Sequence, residues 1–174
     1  IMNVDYPGSE VGGNTETHPL IVCAIFGAMA NCVPQRVMAS EGTTHGCFVF
    51  GGHDKVTDEP FGGFDFSYVG YGGRSFADGN DATDSINGNC ANTPMEVFET
   101  RFPWIVEEYA LRPDSGGAGR HRGGLSNVKQ MLCTGEMLVS QMTNKHKIGA
   151  WGLKGGFEGQ VGATLYMRSG SEDW

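Results

Sequence analysis

Residues 104–132 read WIVEEYALRPDSGGAGRHRGGLSNVKQML: two apolar-rich segments flank a glycine-rich stretch that carries Arg112, Arg120, His121 and Arg122. The fold turns on the segment just past the glycines. A dinucleotide fingerprint needs G-x-G-x-x-G at the start of a helix. Here Gly117-Ala118-Gly119 and Gly123-Gly124 lead into LSNVKQML, which has a strand pattern. A Walker A loop ends in Lys-Ser or Lys-Thr, and neither pair occurs in the chain. The stretch therefore reads as a strand–loop–strand connection. Asp114 and Ser115 are expected to bond the local backbone, and the arginines to pair with nearby carboxylates. A second use stays open for Arg112, Arg120 and Arg122, because guanidinium forks grip carboxylate or phosphate bidentately.

Strand chemistry extends outward from there. Gly46–Phe50 (GCFVF), Phe64–Tyr71 (FDFSYVGY) and Trp104–Leu111 are rich in aromatic and β-branched residues. Parts of Leu125–Cys133, Met137–Met142 and Ala163–Met167 follow the same pattern. Glycine pairs at 51–52, 62–63, 72–73, 116–117, 123–124 and 155–156 predict turns and bulges. One long helix is expected over Thr17–Asn31 (THPLIVCAIFGAMAN), with Thr17 as N-cap, Pro19 in the first turn and Pro34 beyond its end. Its faces are almost wholly apolar, which predicts burial on most sides. Cys23, Ala24, Gly27 and Ala28 are small enough to let another backbone approach. A short helix is expected at Thr93–Thr100, with Thr93 and Glu96 as a capping box. Together these predict an α+β fold over residues 1–174, a single domain that is β-dominated, with one long buried helix near the N-terminus and glycine-rich turns.

Bulk properties narrow the function. A chain of 174 residues can bury a core without disulfides or metal. A net charge of -8 argues against a nucleic-acid or membrane-surface partner, which would need a basic excess. No apolar run approaches the roughly 20 residues of a membrane span, and no signal-peptide pattern opens the chain. Cys23, Cys32, Cys47, Cys90 and Cys133 are scattered, with no C-x-x-C spacing. They read as reduced thiols of a cytoplasmic protein, not as a disulfide framework or a zinc knuckle. The start, IMNVDYPGSE, has Ile1 in place of an initiating methionine and is expected of a piece of a longer protein.

Local patterns identify no catalytic residue. There is no G-x-S-x-G elbow. His18, His45, His53, His121 and His146 form no H-x-H, H-x-x-x-H or H-E-x-x-H pair, so no metal ligand is assigned. His45 and His53 flank a predicted strand, with nothing in the sequence to bring them together. The run Asp78–Asp84 (DGNDATD) has Thr83 and Asn89 where a calcium loop needs Gly and Glu, and it reads as a solvated polar turn.

Asn92–Gly124, NTPMEVFETRFPWIVEEYALRPDSGGAGRHRGG, resembles the hydantoinase B/oxoprolinase family. That family's C-terminal region carries NTP-x-E-x-x-E, then R-Y/F-P, then R-x-x-SGG-x-G-x-x-RGG. Gly13–Thr17 (GNTET), Tyr71–Arg74 with Asp78-Gly79, and Trp151–Gly156 (WGLKGG) resemble further family elements, in family order. The resemblance implies the C-terminal portion of a longer B-type subunit. Such subunits occur in N-methylhydantoinases, 5-oxoprolinases, and acetone and acetophenone carboxylases. It implies an A-type partner subunit that uses ATP and Mg²⁺ to activate the carbonyl of a small-molecule substrate. The INGNCANTPMEVFETRFP segment resembles the ketone carboxylase branch more than the cyclic amide hydrolases. The family's metal ligands belong to the N-terminal part of the subunit, and none is carried over to this chain. Arg112, Arg120, His121 and Arg122 are the residues expected to meet an anion or substrate.

Overall fold

The computed structural model describes residues 5–8 and 13–170. A π-helical turn, Gly13–Thr17, runs into helix α1 (His18–Met29), and a short 3-10 turn follows at Pro34–Arg36. Then come strands β1 (Cys47–Asp54) and β2 (Glu59–Phe66), helix α2 (Met95–Arg101), and strands β3 (Trp104–Leu111), β4 (Asn127–Cys133) and β5 (Met137–Met142). The fold is mixed and strand-rich, with its one long helix near the N-terminus, as the sequence predicts.

β1 lies between β2 and β5 in an antiparallel sheet, while β3 and β4 form a separate antiparallel hairpin with a bulge at Val106/Glu108. Side chains alternate across a strand, so Phe48 and Phe50 of β1 face one way, and both are buried. They meet Phe98 of α2 and Trp104 at the start of β3. The rings pack edge-on, with the Phe50 centroid 5.5 Å from Phe98, 4.9 Å from Phe102 and 5.7 Å from Trp104, an arrangement that aromatic quadrupoles favour. This aromatic knot seats α2 and the base of the β3–β4 hairpin on the sheet.

A buried ion pair makes a second tie. Nζ of Lys129 in β4 lies 2.5 Å from Asp65 of β2, each side chain only 3% exposed. Nζ also donates to the Phe66 carbonyl and stands 4.7 Å from the Tyr109 ring centroid. Burial lowers the pKa of Lys129, and the Asp65 carboxylate opposes that shift.

Several local expectations are corrected. Thr17 is itself helical, with φ -72° and no side-chain cap bond, because the π-helical turn already supplies the chain entering α1. Of the small residues only Cys23 and Gly27 meet the rest of the fold, and they meet side chains, while Ala24 and Ala28 are exposed. Cys23 Sγ is 3.1 Å from Ser40 Oγ, and Trp151 packs over Gly27. Burial of α1 stops there, however, since Leu20, Ile21, Ile25 and Met29 remain 41–50% exposed. Among the described residues no second layer covers that face. The capping box does not form either: α2 starts at Met95 after an extended Pro94, with no side-chain cap. Ala163–Met167 is not a strand. Gly51-Gly52 and Gly62-Gly63 lie inside β1 and β2, with Gly51 opposite Gly62, and not at turns. The space above Gly63 is taken by the Phe50 and Phe102 rings. Among the described residues no helix is long and apolar enough to cross a membrane.

Candidate functional site

The glycine-rich stretch joins β3 to β4, with Leu111 paired to Asn127 where the loop 112–126 closes. Ser115 staples its base, donating from Oγ to the Arg112 carbonyl at 2.8 Å and accepting from Ser126 N at 2.9 Å. Asp114 takes the left-handed conformation, φ 58°, at the turn out of β3. The returning arm lies flat on residues 71–80. Gly124 N donates to the Tyr71 carbonyl and Gly79 N to the Arg122 carbonyl, each at 2.8 Å. A Cβ on Gly124 would overlap the Asn80 carbonyl, so only glycine permits this approach.

The basic residues take different neighbours. Arg122 grips Asp81 bidentately at 2.8 and 3.1 Å. Its hydrogen bonds, followed by one from Leu125 N, hold the Asp81 carboxyl below the usual carboxylate range. Arg112 reaches the other way, donating to the Val161 carbonyl at 2.7 Å and to Gln160 Oε1 at 2.8 Å. His121 Nδ1 stands 3.5 Å from Asp78. Arg120 is exposed and makes no ion pair or side-chain hydrogen bond among the described residues. Two of the three guanidinium groups thus hold the loop in place, and Arg120 is left facing solvent.

The Asp78–Asp84 run is a strut, and this overturns its reading as a solvated turn. Asp78 accepts from Arg122 N, Asp81 holds the Arg122 side chain, and Asp84 is buried against His45. Asp78 and Asp81 find their donor, Arg122, more than 40 residues away, and Asp84 meets His45 at a similar separation, beyond the reach of any local pattern.

Asp84 opens onto a second polar centre. Residues 39–46 (ASEGTTHG) enter β1 without regular structure, yet Ser40, Glu41, Thr43, Thr44 and His45 are all no more than 6% exposed. Glu41 accepts from Ser85 Oγ at 2.6 Å and from Ile86 N at 3.1 Å. Burial raises its pKa, and the Ser85 bond resists the rise. Thr44 Oγ donates to Glu16 Oε1 at 2.7 Å, and Asn144 Nδ2 donates to Glu16 Oε2 at 2.8 Å and to the Thr43 carbonyl at 2.5 Å. This net holds Thr43 at φ 51°, a conformation that costs a β-branched residue about 1–3 kcal/mol.

His45 Nδ1 is 2.5 Å from Asp84 Oδ1. Asp84 also accepts from Ser85 N at 2.8 Å and Cys90 N at 2.9 Å. The His45–Asp84 contact is close but off the line of a hydrogen bond, so both ring nitrogens are buried without a hydrogen-bond partner. The Tyr68 hydroxyl is likewise buried and unpaired. Burial, then the charges of Asp84 and Cys90, push its pKa well up. His53 is not part of this centre: it lies at the far end of β1, exposed, 3.6 Å from Asp58. Sequence reading assigned no role to Glu41, His45, Asp84 or Ser85. The available signal was a polar run leading directly into an apolar strand.

The profile of the hydantoinase B/oxoprolinase family matches residues 1–173. An uncharacterised protein of Methanocaldococcus jannaschii is 34% identical over 99% of this chain, which spans 30% of that protein. A Pseudomonas protein, provisionally named as the B component of a D-/L-hydantoinase, is 31% identical over 78% of the chain, which spans 22% of its length. A 5-oxoprolinase of Dictyostelium discoideum is 27% identical over 97% of the chain, which spans 12% of it. Among solved structures, nucleotide-free acetone carboxylase superposes with a TM-score of 0.64 at 24% identity. That match covers 77% of this chain and 18% of the carboxylase chain, and it shows a shared fold.

Proposed function

The chain belongs to the hydantoinase B/oxoprolinase family, and we propose that it is one unit of a B-type subunit in an enzyme that spends ATP to attack an unreactive carbonyl. The match over 173 of its 174 residues, with family motifs in family order, is the observation that supports this reading. In the reading, an A-type subunit holds ATP and its Mg²⁺. The glycine-rich stretch joins two strands, where a phosphate-binding loop would open a helix. Metal ligands of the family kind fall to the remainder of its own B-type subunit. The reaction proposed first is carboxylation of a ketone of the acetone or acetophenone class. The second is ring opening of a cyclic amide, which the likeness to the Pseudomonas and Dictyostelium proteins favours.

Arg120 and His121 are the side chains proposed to meet the anionic substrate or intermediate, on a loop held by Arg112 and Arg122. Fixed donors aimed at developing negative charge stabilise it most in a site that excludes water. The test coexpresses the complete B-type subunit with its A-type partner and follows ATP hydrolysis. Turnover that needs both ketone and bicarbonate supports the carboxylase, whereas turnover with a hydantoin or 5-oxoproline alone supports the hydrolase. ATP hydrolysis indifferent to all of these substrates sinks the proposal. In the active complex, Arg120→Ala is expected to lower turnover with assembly intact. Lost assembly with normal turnover per assembled complex would instead make the loop a packing element.

A further inference from the structure

Three chemically different donors converge beside the strut. A ring nitrogen of His45, a carboxylate oxygen of Asp84 and Sγ of Cys90 all lie within 4.8 Å of one another. They come from positions 45, 84 and 90, so no spacing motif announces them. His45 is 2% exposed and Asp84 9%, while Cys90 is exposed, which leaves the cluster buried on two sides and open to solvent at the thiol.

The cluster is incomplete as a hydrogen-bonded unit. The imidazole is 98% buried, and neither ring nitrogen makes the hydrogen bond that water would supply. Native structures do not leave such groups without a reason, and a bound ion is one of the few reasons available. The off-line contact also fits ligation. The carboxylate oxygen and the imidazole nitrogen stand 2.5 Å apart, near enough to share one ion. The Tyr68 hydroxyl is likewise buried without a hydrogen-bond partner.

We propose that His45, Asp84 and Cys90 form a binding site for a borderline divalent cation of the zinc class, with the fourth coordination position open to solvent. The donor set chooses the metal. A nitrogen, an oxygen and a sulfur suit zinc, whereas magnesium and calcium require oxygen throughout. Two ligands of a tetrahedral zinc with bonds of about 2.0–2.1 Å stand about 3.3 Å apart. Binding therefore opens the 2.5 Å His45–Asp84 contact by less than about 1 Å. The Cys90 thiol proton leaves to solvent as the sulfur–metal bond forms, and neutral His45 gives its lone pair without releasing a proton. The ion would fasten the segment 39–46 to residues 84–90 and satisfy the buried imidazole. This site is independent of the proposed carbonyl chemistry.

Cobalt(II) titration of the full chain tests it, because a cobalt–thiolate bond gives a charge-transfer band in the near ultraviolet. One equivalent should bring up the band, and zinc should abolish it by displacement. Cys90→Ser alters an exposed residue, so its fold should persist, which circular dichroism checks. It should lose the band and weaken cobalt binding at least tenfold. Cys133→Ser, at another exposed thiol, should keep the band. Asp84→Asn should weaken binding while the thiolate band remains at saturation. Absence of the band in the unmodified chain at saturating cobalt overturns the proposal, as does its survival in Cys90→Ser.

Discussion

Lys129→Met removes one half of the buried pair that ties the arginine loop's hairpin to the main sheet. In the native chain the ammonium sits 2.5 Å from Asp65, with both side chains 3% exposed. It also serves the Phe66 carbonyl and the Tyr109 ring. Methionine fills a similar volume but leaves the Asp65 carboxylate buried without a counter-charge. Breaking a buried pair from one side costs about 3–5 kcal/mol, a large part of the ~5–15 kcal/mol that holds a typical domain together. For a chain of this size the melting temperature should fall by about 6–20 °C. Lys129→Met/Asp65→Leu removes both charges, and apolar replacement of a buried pair is often near neutral. The double variant should therefore recover to within about 1 kcal/mol of the native chain. Urea unfolding, followed by the fluorescence of the core Trp104, reads both variants, and unchanged slopes would show that the unfolded state is not responsible. A loss below about 1 kcal/mol for Lys129→Met is what an exposed pair gives, and it would refute the buried Lys129–Asp65 tie.

The remaining predictions concern the loop and the polar centre. Gly124→Ala drives a Cβ into the Asn80 carbonyl and should destabilise by about 2–3 kcal/mol; a change under 0.5 kcal/mol in urea unfolding, roughly the scatter of surface substitutions, would contradict the close approach. Arg122→Ala should cost about 1 kcal/mol, discounted because the guanidinium is partly solvated, whereas Arg120→Ala should stay within about 0.5 kcal/mol. Equal losses would mean that the two arginines share one role. Burial raises the pKa of Glu41 above its ordinary 4.5, so the native state holds that proton more tightly than the unfolded chain does. Its contribution is fully present below the unfolded value and is lost as pH rises through the native one. Glu41→Gln, which keeps an acceptor for Ser85, should thus gain stability over the native chain as pH climbs from about 4 to 8; a pH-independent difference between the two would count against a raised Glu41.

Strands were legible where a local pattern suffices. GCFVF and WIVEEYAL announce β1 and β3 through aromatic and β-branched content. The same rule misplaced Ala163–Met167, whose apolar residues find no partner strand among the described residues. The rejection of a nucleotide loop also held. Gly124 leads into a strand, and that was readable from LSNVKQML.

The sequence by itself determined that residues 47–50, Trp104–Leu111 and Met137–Met142 lie in strands, where the helix begins and ends within a residue or two, and which family the chain resembles. Those properties depend on neighbours a few residues apart, or on motif order. Only the tertiary structure decided that Asp78 and Asp81 both hold Arg122, that Asp84 lies against His45, and that Arg120 has no such partner among the described residues. It alone placed Glu41 beside Ser85 and brought Cys90 to the His45–Asp84 pair. A charge has the same formula in a solvated turn and in a buried cluster. Its energy is set by the water removed from it and by the partner that replaces that water, and both of those come from distant parts of the chain.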